Sequence, residues 1–182
     1  MSEELIIRCC APTLASIKTG NMFTCRFSSQ DEMIQSIRSI NRRLRKKGLS
    51  VIPLRYTDGV GLIYVYRPNR LHQDLCNEKA CKLLSENGYA CCQPTRCVQQ
   101  LRERLRQQQD FPHEIGLFLG YPPEDVDGFM HRKHEAKYAG HWKVYGDVDR
   151  AKRTFALYKK CTNAYLHQWK NGRSIERLTI SA

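Results

Sequence analysis

The sequence predicts an α+β protein in which a ferredoxin-like βαββαβ unit is joined to a C-terminal helical lobe. Segments with strand and helix periodicity alternate in that order between residues 21 and 93. Pro53 interrupts the second predicted strand, which this fold places at a sheet edge, where proline is tolerated. The third predicted strand is apolar on both faces, so helices from outside the unit must cover its second face. A dimer interface is the alternative cover.

We expect one compact domain with two lobes, because no linker, repeat or low-complexity tract interrupts the chain. Its parts are an N-terminal cysteine-containing segment (1–20), the βαββαβ unit (21–93) and the helical lobe packed on the sheet (94–182). A first helix is expected to break at Pro12, to resume, and to end at Gly20.

The first strand and helix of the βαββαβ unit have clear local signals. Residues 22–27 (MFTCRF) alternate between apolar and polar, as a strand does. A helix at 29–47 follows, with Ser28 or Ser29 as its N-cap and Gly48 as its end. The apolar stripe of this helix comprises Met33, Ile37, Ile40 and Leu44.

The rest of the unit continues with a hairpin. Strands at 50–57 and 61–68 are joined by the Asp-Gly turn signal at 58–59. Residues 70–86 are predicted to be one helix, and YACC at 89–92 could be a short fourth strand.

The C-terminal lobe is predicted to be mainly helical. A helix at 94–109 is followed by two short helices in FPHEIGLFLGYPPEDVDGF (111–129) and by an extra strand at 140–146. A long helix is expected at 147–171, because its aromatic residues recur at spacings of three and four.

Composition favours a cytoplasmic protein with anionic partners. The 182 residues carry a formal net charge of +12 and nine cysteines. The start, MSEELIIRCC, has acids where a signal peptide would be positive, and an odd cysteine count argues against a disulfide framework. No apolar run approaches the roughly 20 residues of a membrane helix. The charge favours nucleic acid, an acidic protein or a phosphorylated ligand.

The His113–Glu114 pair has a structural and a chemical interpretation. Asp110 could cap a helix whose first turn contains Glu114, which suits the positive end of the helix dipole. A zincin motif would need a second histidine at the position of Leu117. The helix start is therefore favoured, and an acid/base or ligand role for His113 remains the alternative.

The cysteine spacings do not match a zinc ribbon, which uses CxxC pairs. A scattered site that draws on Cys91, Cys92 and Cys97 is conceivable. Cys10 is the best candidate for a reactive thiol, because Arg8 and Lys18 lie near it in sequence and positive neighbours lower a thiol pKa. Its alternative is a small buried residue at a helix kink.

Other site motifs are weak. His131, His134 and His141 cluster, but basic neighbours favour a solvated surface over a metal site. The sequence contains no P-loop, GxGxxG, GxSxG or DxDxDG pattern, so nucleotide hydrolysis and dinucleotide binding are unsupported.

The helix at 29–47 carries a basic face that could bind phosphates. An RNA-recognition domain would need aromatic residues on its third strand, where this chain has Val60 and Leu62. Charge-driven, sequence-neutral binding remains open against a plain solvated helix face. The cations of that face include Arg38, Arg42, Arg45 and Lys46.

Three stretches together resemble an uncharacterised family of clostridial and related anaerobic bacteria, known only as a domain of unknown function. They are CAPTLASIKTGNMF, FPHEIGLFLGYPPEDVDGF and GHWKVYGDVDRAKRTFALYKKCT. Members occur near flavodoxin and iron-uptake genes, which would imply a redox- or iron-linked role. The positions carried over are Cys10, Pro12, Thr13, Lys18, Gly20, His113, Glu114, Gly116, Trp142, Tyr145, Gly146 and Cys161.

On that resemblance we expect a redox-, iron- or haem-linked site between the Cys10 segment and the His113 helix. Cys10, His113 and Cys161 would be metal ligands, or Cys10 a thiolate and His113 an acid/base group. Glu114 would orient His113, and Lys18 would anchor an anion. The alternative function is a basic, non-enzymatic protein that binds nucleic acid or an acidic redox protein such as flavodoxin. A homodimer is compatible with either function.

Overall fold

The computed structural model describes residues 1–107, 111–132 and 135–181, which form a mixed helix and strand fold of the α+β class. The chain divides into two compact units. Unit 1 contains residues 1–69 and 160–182, and unit 2 contains residues 70–159. No helix among the residues described is long and apolar enough to cross a membrane.

Unit 1 consists of a three-stranded sheet and its flanking helices. Its elements are α1 (Glu3–Leu14), β1 (Gly20–Arg26), α2 (Gln30–Leu44), a 3-10 turn (Arg45–Lys47), β2 (Ser50–Thr57), β3 (Val60–Tyr66), the start of α3 (Pro68–Leu75), the end of α8 (Val148–Lys170) and α9 (Ile175–Leu178).

The sheet has the order β1-β3-β2, and both pairings are antiparallel. β2 is an edge strand, as predicted, and its register shifts between Pro53 and Arg55. Because proline has no N–H to donate to the ladder, this bulge is the expected accommodation. The hairpin turn is also confirmed, since Asp58 and Gly59 both have positive φ angles, of 51° and 76°.

The predicted fourth strand at 89–92 is wrong. Tyr89 and Ala90 are irregular and Cys91 and Cys92 form a turn, in which Cys92 has a φ of 54°. A left-handed residue cannot continue an extended strand, so the chain turns there. The described sheet therefore has three strands, and the four-stranded ferredoxin-like topology is not confirmed.

The core of unit 1 lies on the face of the sheet that α1, α2 and α9 share. All four residues of the predicted α2 stripe are buried there. Ser29 caps α2 by accepting from the Glu32 N–H at 3.1 Å, and Glu32 reaches back to the Ser28 N–H at 2.7 Å. This reciprocal cap fixes where the helix begins.

The predicted helix break at Pro12 is wrong, because α1 continues through it to Leu14. Proline removes a single intrahelical donor, and near the end of a helix that loss is small. The Pro12 carbonyl instead accepts from the N–H groups of Ile17 and Lys18, which form a turn before β1.

Unit 2 is mostly helical. Its elements are the remainder of α3, α4 (Glu78–Glu86), α5 (Pro94–Gln107), α6 (Ile115–Phe118), α7 (Pro123–His131), the two-residue strands β4 (Tyr138–Ala139) and β5 (Lys143–Val144), and the first part of α8. The long α8 and the two helices of the 111–129 stretch are confirmed.

The single helix predicted at 70–86 is in fact two. Asn77 interrupts it and caps α4 by accepting from the Lys79 N–H at 3.1 Å. Asparagine side chains favour this N-cap position because they satisfy a backbone donor that the helix leaves unpaired. The break places Cys76 just after the end of α3. Asp110, the predicted cap further along, lies outside the described residues.

Candidate functional site

Four cysteine side chains converge in unit 2, and we call Cys76, Cys81, Cys91 and Cys92 the thiol cluster. The sulfur atoms of Cys81, Cys91 and Cys92 all lie within 4.8 Å of one another. Cys76 lies near Cys92, and burial together with the interaction of the two thiols raises the pKa of Cys76. Cys81 and Cys91 are paired as a disulfide in this structure.

Each member of the thiol cluster lies at or next to a helix terminus. Cys76 follows the last turn of α3, and Cys81 lies in the first turn of α4. Cys91 and Cys92 form the turn between α4 and α5. The positive φ of Cys92 bends this turn, so two adjacent residues can both face Cys81. Non-glycine residues hold such a conformation only where their surroundings demand it.

The sulfur separations match those of a single bound ion. The Cys92 Sγ lies 3.8 Å from the Cys81 Sγ and 3.6 Å from the Cys91 Sγ. Four thiolates around one zinc ion at about 2.3 Å form a tetrahedron whose edges are about 3.8 Å long. Cys81 and Cys91 are not thiolates while they form the disulfide, so it must be reduced before both can bind an ion.

Two further side chains border the thiol cluster. His72 Nδ1 lies 3.7 Å from the Cys76 sulfur, one helical turn away on α3. Cys97 is buried, and its thiol contacts the Ala90 carbonyl at 2.9 Å. Burial raises the pKa of Cys97, and burial together with Cys92 raises that of Cys76. Closely spaced thiols resist joint ionisation, which a bound cation would relieve.

The cysteine spacings suggest a site with Cys91, Cys92 and Cys97, but they do not predict the thiol cluster. Spacings of five, ten and one residue between successive members do not form a recognised ligand motif. The helix break at Asn77 and the turn at Cys92 create the cluster. The signal available in the sequence was the density of cysteines, with five between positions 76 and 97.

Cys10 lies in the hydrophobic core of unit 1 and is 0% exposed. Burial raises its pKa well above the ordinary value, and the opposing effect of Lys18 is smaller. The expected lowering of its pKa by positive neighbours is therefore wrong, because burial outweighs their charge. Lys18 is itself buried, which lowers its pKa to about 8. These surroundings favour the small-buried-residue interpretation of Cys10.

The predicted ligand set of Cys10, His113 and Cys161 is divided between the units. Cys10 and Cys161 belong to unit 1, and His113 belongs to unit 2. Cys161 is half-buried on α8, and burial raises its pKa to about 11. None of the three belongs to the group of potential ligands that converge in the thiol cluster.

Glu114 is held by contacts with Tyr89 and α5. Its carboxylate is 3% exposed and accepts from the Tyr89 hydroxyl at 2.8 Å and from Arg104 at 2.9 Å. The Arg104 guanidinium also lies over the Tyr89 ring, 4.5 Å from its centroid. The pair therefore anchors α5 to the start of α6, which is a structural role. His113 is exposed and places its ring against the Phe129 ring at 5.2 Å.

The other histidines of unit 2 have separate local contacts. His131 Nδ1 lies 3.0 Å from the Asp127 carboxylate one helical turn away. His141 packs against Phe155 and Tyr158 at 5.3 Å and 5.7 Å between ring centroids. His134, which was considered with them, lies outside the described residues.

The basic face of α2 is exposed in unit 1. A surface groove of about 990 Å³ is bordered by Arg38, Arg42, Arg45 and Lys46, together with Gln35 and Asn41. Arg43, on the adjacent face, instead forms ion pairs with Glu3 and Glu176. The four bordering cations therefore present one continuous positive surface.

Comparison with known proteins assigns the chain to a family. The sequence model of the family described as "Protein of unknown function (DUF3793)" matches residues 6–179, so the chain belongs to that family. No curated protein and no solved structure matches the chain.

Proposed function

We propose that this protein is a metal–thiolate protein, in which the reduced thiol cluster binds one soft transition-metal ion. Family membership carries no activity, so the proposal depends on the site. The single observation that carries it is the convergence of the Cys81, Cys91 and Cys92 sulfur atoms within 4.8 Å. Cys76, whose thiol interacts with that of Cys92, would be the fourth ligand.

Ligand chemistry restricts the metal to a few ions. Four thiolates select zinc or iron over magnesium and calcium, which prefer oxygen ligands. The separations of 3.6 Å and 3.8 Å suit a single ion better than a multi-iron cluster, whose ligating sulfurs lie farther apart. Ferrous iron would make the protein a one-electron carrier, in line with the redox- or iron-linked role that the sequence resemblance implies. Zinc would give it a structural centre.

Anaerobic reconstitution tests the proposal. The protein is reduced, freed of metal, and titrated with Co²⁺ or Fe²⁺ while its visible absorption is recorded. We expect one ion per chain and intense thiolate-to-metal absorption. Binding should require prior reduction, because the Cys81–Cys91 disulfide removes two ligands.

Matched cysteine variants locate the site. Cys92→Ser should reduce metal affinity by tenfold or more, since serine lacks the soft thiolate ligand. Cys161→Ser is the control, and it also tests the set first predicted from the sequence. Loss of binding in Cys161→Ser with retention in Cys92→Ser would refute the thiol cluster. If neither the wild type nor Cys161→Ser binds one metal ion per chain, the proposed metal function is refuted.

A second function is supported by the basic groove on α2. We propose sequence-neutral binding of nucleic acid there, because four exposed cations border one groove of about 990 Å³. An acidic protein such as flavodoxin would compete for the same cations.

Salt dependence tests the second function. Fluorescence anisotropy with a labelled single-stranded oligonucleotide should show affinity that falls steeply between low and moderate salt. Replacing Arg38 and Arg42 with Gln should reduce the magnitude of the salt slope by about 0.7 for each phosphate that the variant no longer binds. Lys170→Gln, on the exposed end of α8, is the control. A salt-independent signal would contradict charge-driven binding.

A further inference from the structure

Unit 2 contains an apolar pocket that is independent of the thiol cluster. Its volume is about 180 Å³, and its walls come from α6, α7 and the segment that forms β5. Pockets for drug-sized ligands are usually about 300–1,000 Å³. This one therefore suits a ligand with a single ring.

Gly116 allows two residues of the pocket wall to pack closely against α6. A Cβ atom on Gly116 would lie 2.8 Å from the Val126 side chain and 3.0 Å from the Tyr121 ring. Both neighbours line the pocket, so any larger residue at position 116 would displace its walls. Gly116 therefore allows Tyr121 to pack directly against the α6 backbone.

A buried carboxylate holds the opposite wall in place. Asp125, which is 4% exposed, accepts from the Trp142 indole at 2.7 Å and from the N–H groups of Tyr145 and Gly146, each at 2.8 Å. The Trp142 ring in turn stacks on Tyr121 with centroids 4.7 Å apart. Tyr121 and Trp142 thus form an aromatic wall that is ordered without a ligand. This order lowers the entropic cost of binding a ligand.

Charge at the pocket favours an anion over a cation. Three N–H donors of the protein already occupy both oxygens of the Asp125 carboxylate, so this carboxylate is not available to bind a cationic ligand directly. The exposed Lys143 amine lies over the Phe129 ring, 5.6 Å from its centroid. A cationic ligand would compete with Lys143 for that ring face and be repelled by its charge.

We propose that this pocket binds a monocyclic aromatic carboxylate, with the ring between Tyr121, Val126 and Phe129 and the carboxylate on Lys143. The ring buries apolar surface against the aromatic wall. The carboxylate remains at the open side, where Lys143 and the exposed His113 border the pocket. This binding is separate from metal binding, since no member of the thiol cluster lines the pocket.

Tryptophan fluorescence can follow binding directly. The chain has two tryptophans, so Trp169→Phe leaves Trp142, which lines the pocket, as the single reporter. Benzoate is titrated against this protein with excitation near the red edge of the tryptophan band, where benzoate does not absorb. We expect a saturable change in emission, a weaker response to neutral benzamide, and the weakest response to benzylamine.

Three variants, each in the Trp169→Phe background, decide the outcome. Lys143→Gln should weaken benzoate binding about tenfold and leave benzamide unchanged, because glutamine cannot form a charge-assisted hydrogen bond to the carboxylate. Lys152→Gln is the matched control. Like Lys143, Lys152 lies over an aromatic ring of unit 2, in this case Tyr138, but it does not line the pocket. Gly116→Ala should weaken both ligands by distorting the walls.

Contradictory results are equally clear. An emission change that does not saturate, or benzylamine binding as tightly as benzoate, would overturn the proposal. So would a Lys143→Gln protein that binds benzoate as the Lys152→Gln control does. Because Lys143 is exposed, its variant is expected to fold normally. None of these measurements requires a metal. A negative result would therefore refute ligand binding in the pocket without bearing on metal binding by the thiol cluster.

Discussion

Lys18 is a buried cation in unit 1, and its burial has a consequence for stability. It is 5% exposed, and burial lowers its pKa from 10.5 to about 8. In the unfolded chain the same amine remains protonated up to about its ordinary pKa. Between pH 8 and 10.5 the unfolded state therefore binds more protons than the native state, and the contribution of Lys18 to stability rises with pH.

Lys18→Met should remove this pH dependence. We expect the free energy of unfolding of the wild type, minus that of the variant, to rise by about 3 kcal/mol across the window from about pH 8 to about 10.5. Urea denaturation at several pH values measures it. Taking the difference cancels the titration of cysteines common to both proteins. A difference that is flat with pH would show that Lys18 titrates normally in the folded protein. Lys46→Met, at an exposed position in the 3-10 turn after α2, is the control for the loss of a lysine.

Residue types alone could not identify the cysteines that converge in the structure. Cys10 was selected from the sequence because charged residues lie near it along the chain, whereas its three-dimensional neighbours are apolar. The sequence suggested Cys91 and Cys92 as ligands, yet Cys81 and Cys76 join them only because of two backbone turns. A thiol's chemistry depends on its surroundings in space, and these depend on where helices end.

Arg67 connects several elements of unit 1 and was not selected from the sequence. It is 1% exposed, and its guanidinium donates to the carbonyls of Thr13 and Leu14, each at 2.7 Å, at the end of α1. It also donates to Ile180 at 2.7 Å and to Lys47 at 3.2 Å. The Thr13 and Leu14 carbonyls also accept from the backbone N–H groups of Ser16 and Ile180. Arg67 therefore adds a charged second donor to each carbonyl and connects the end of α1 to the C-terminal segment.

Arg67→Met should destabilise the protein by about 3 kcal/mol or more, because it removes four hydrogen bonds from a charged, buried donor. Arg67→Lys should recover only part of the loss, since an ammonium group lacks the planar fork that reaches several carbonyls. Chemical denaturation measures both variants. Arg26→Met, at an exposed position on β1, is the control and should change stability by about 0.5 kcal/mol or less. Equal stability of Arg67→Met and the control would contradict the connecting role.

Elements with strong periodicity were predictable, and those that depend on distant contacts were not. The apolar stripe of α2 and the bulge at Pro53 follow from local spacing and from proline chemistry. The fourth strand was predicted wrongly because its short apolar run is instead a turn, in which the Tyr89 hydroxyl bonds to Glu114. Short apolar runs carry little information on helix, strand or turn.

The division of the molecule into units was not apparent from the sequence. Unit 1 is built from two segments, 1–69 and 160–182, which are joined through the whole of unit 2. Hydrophobic periodicity identifies elements, but it does not show which distant elements share a core. The C-terminal residues Ile175 and Leu178 pack with α1 and α2, although more than 130 residues separate them in the chain.

This arrangement should link the stability of the two units. When unit 2 is folded, it fixes the separation of residues 70 and 159, which are its first and last residues. When it unfolds, the two segments of unit 1 are connected by a flexible loop of about 90 residues, whose closure costs about 4 kcal/mol of entropy. A ligand that binds folded unit 2 should therefore protect unit 1 as well.

Zinc binding at the thiol cluster provides the test, with one tryptophan reporting on each unit. Trp169→Phe leaves Trp142 in unit 2, and Trp142→Phe leaves Trp169 in unit 1. With the reduced protein, zinc at 100 times its dissociation constant should stabilise unit 2 by about 2.7 kcal/mol. We expect both tryptophans to report the same shift in the urea midpoint, and Cys92→Ser to abolish the shift at both positions. A shift at Trp142 alone would mean that unit 1 closes its core without help from a folded unit 2.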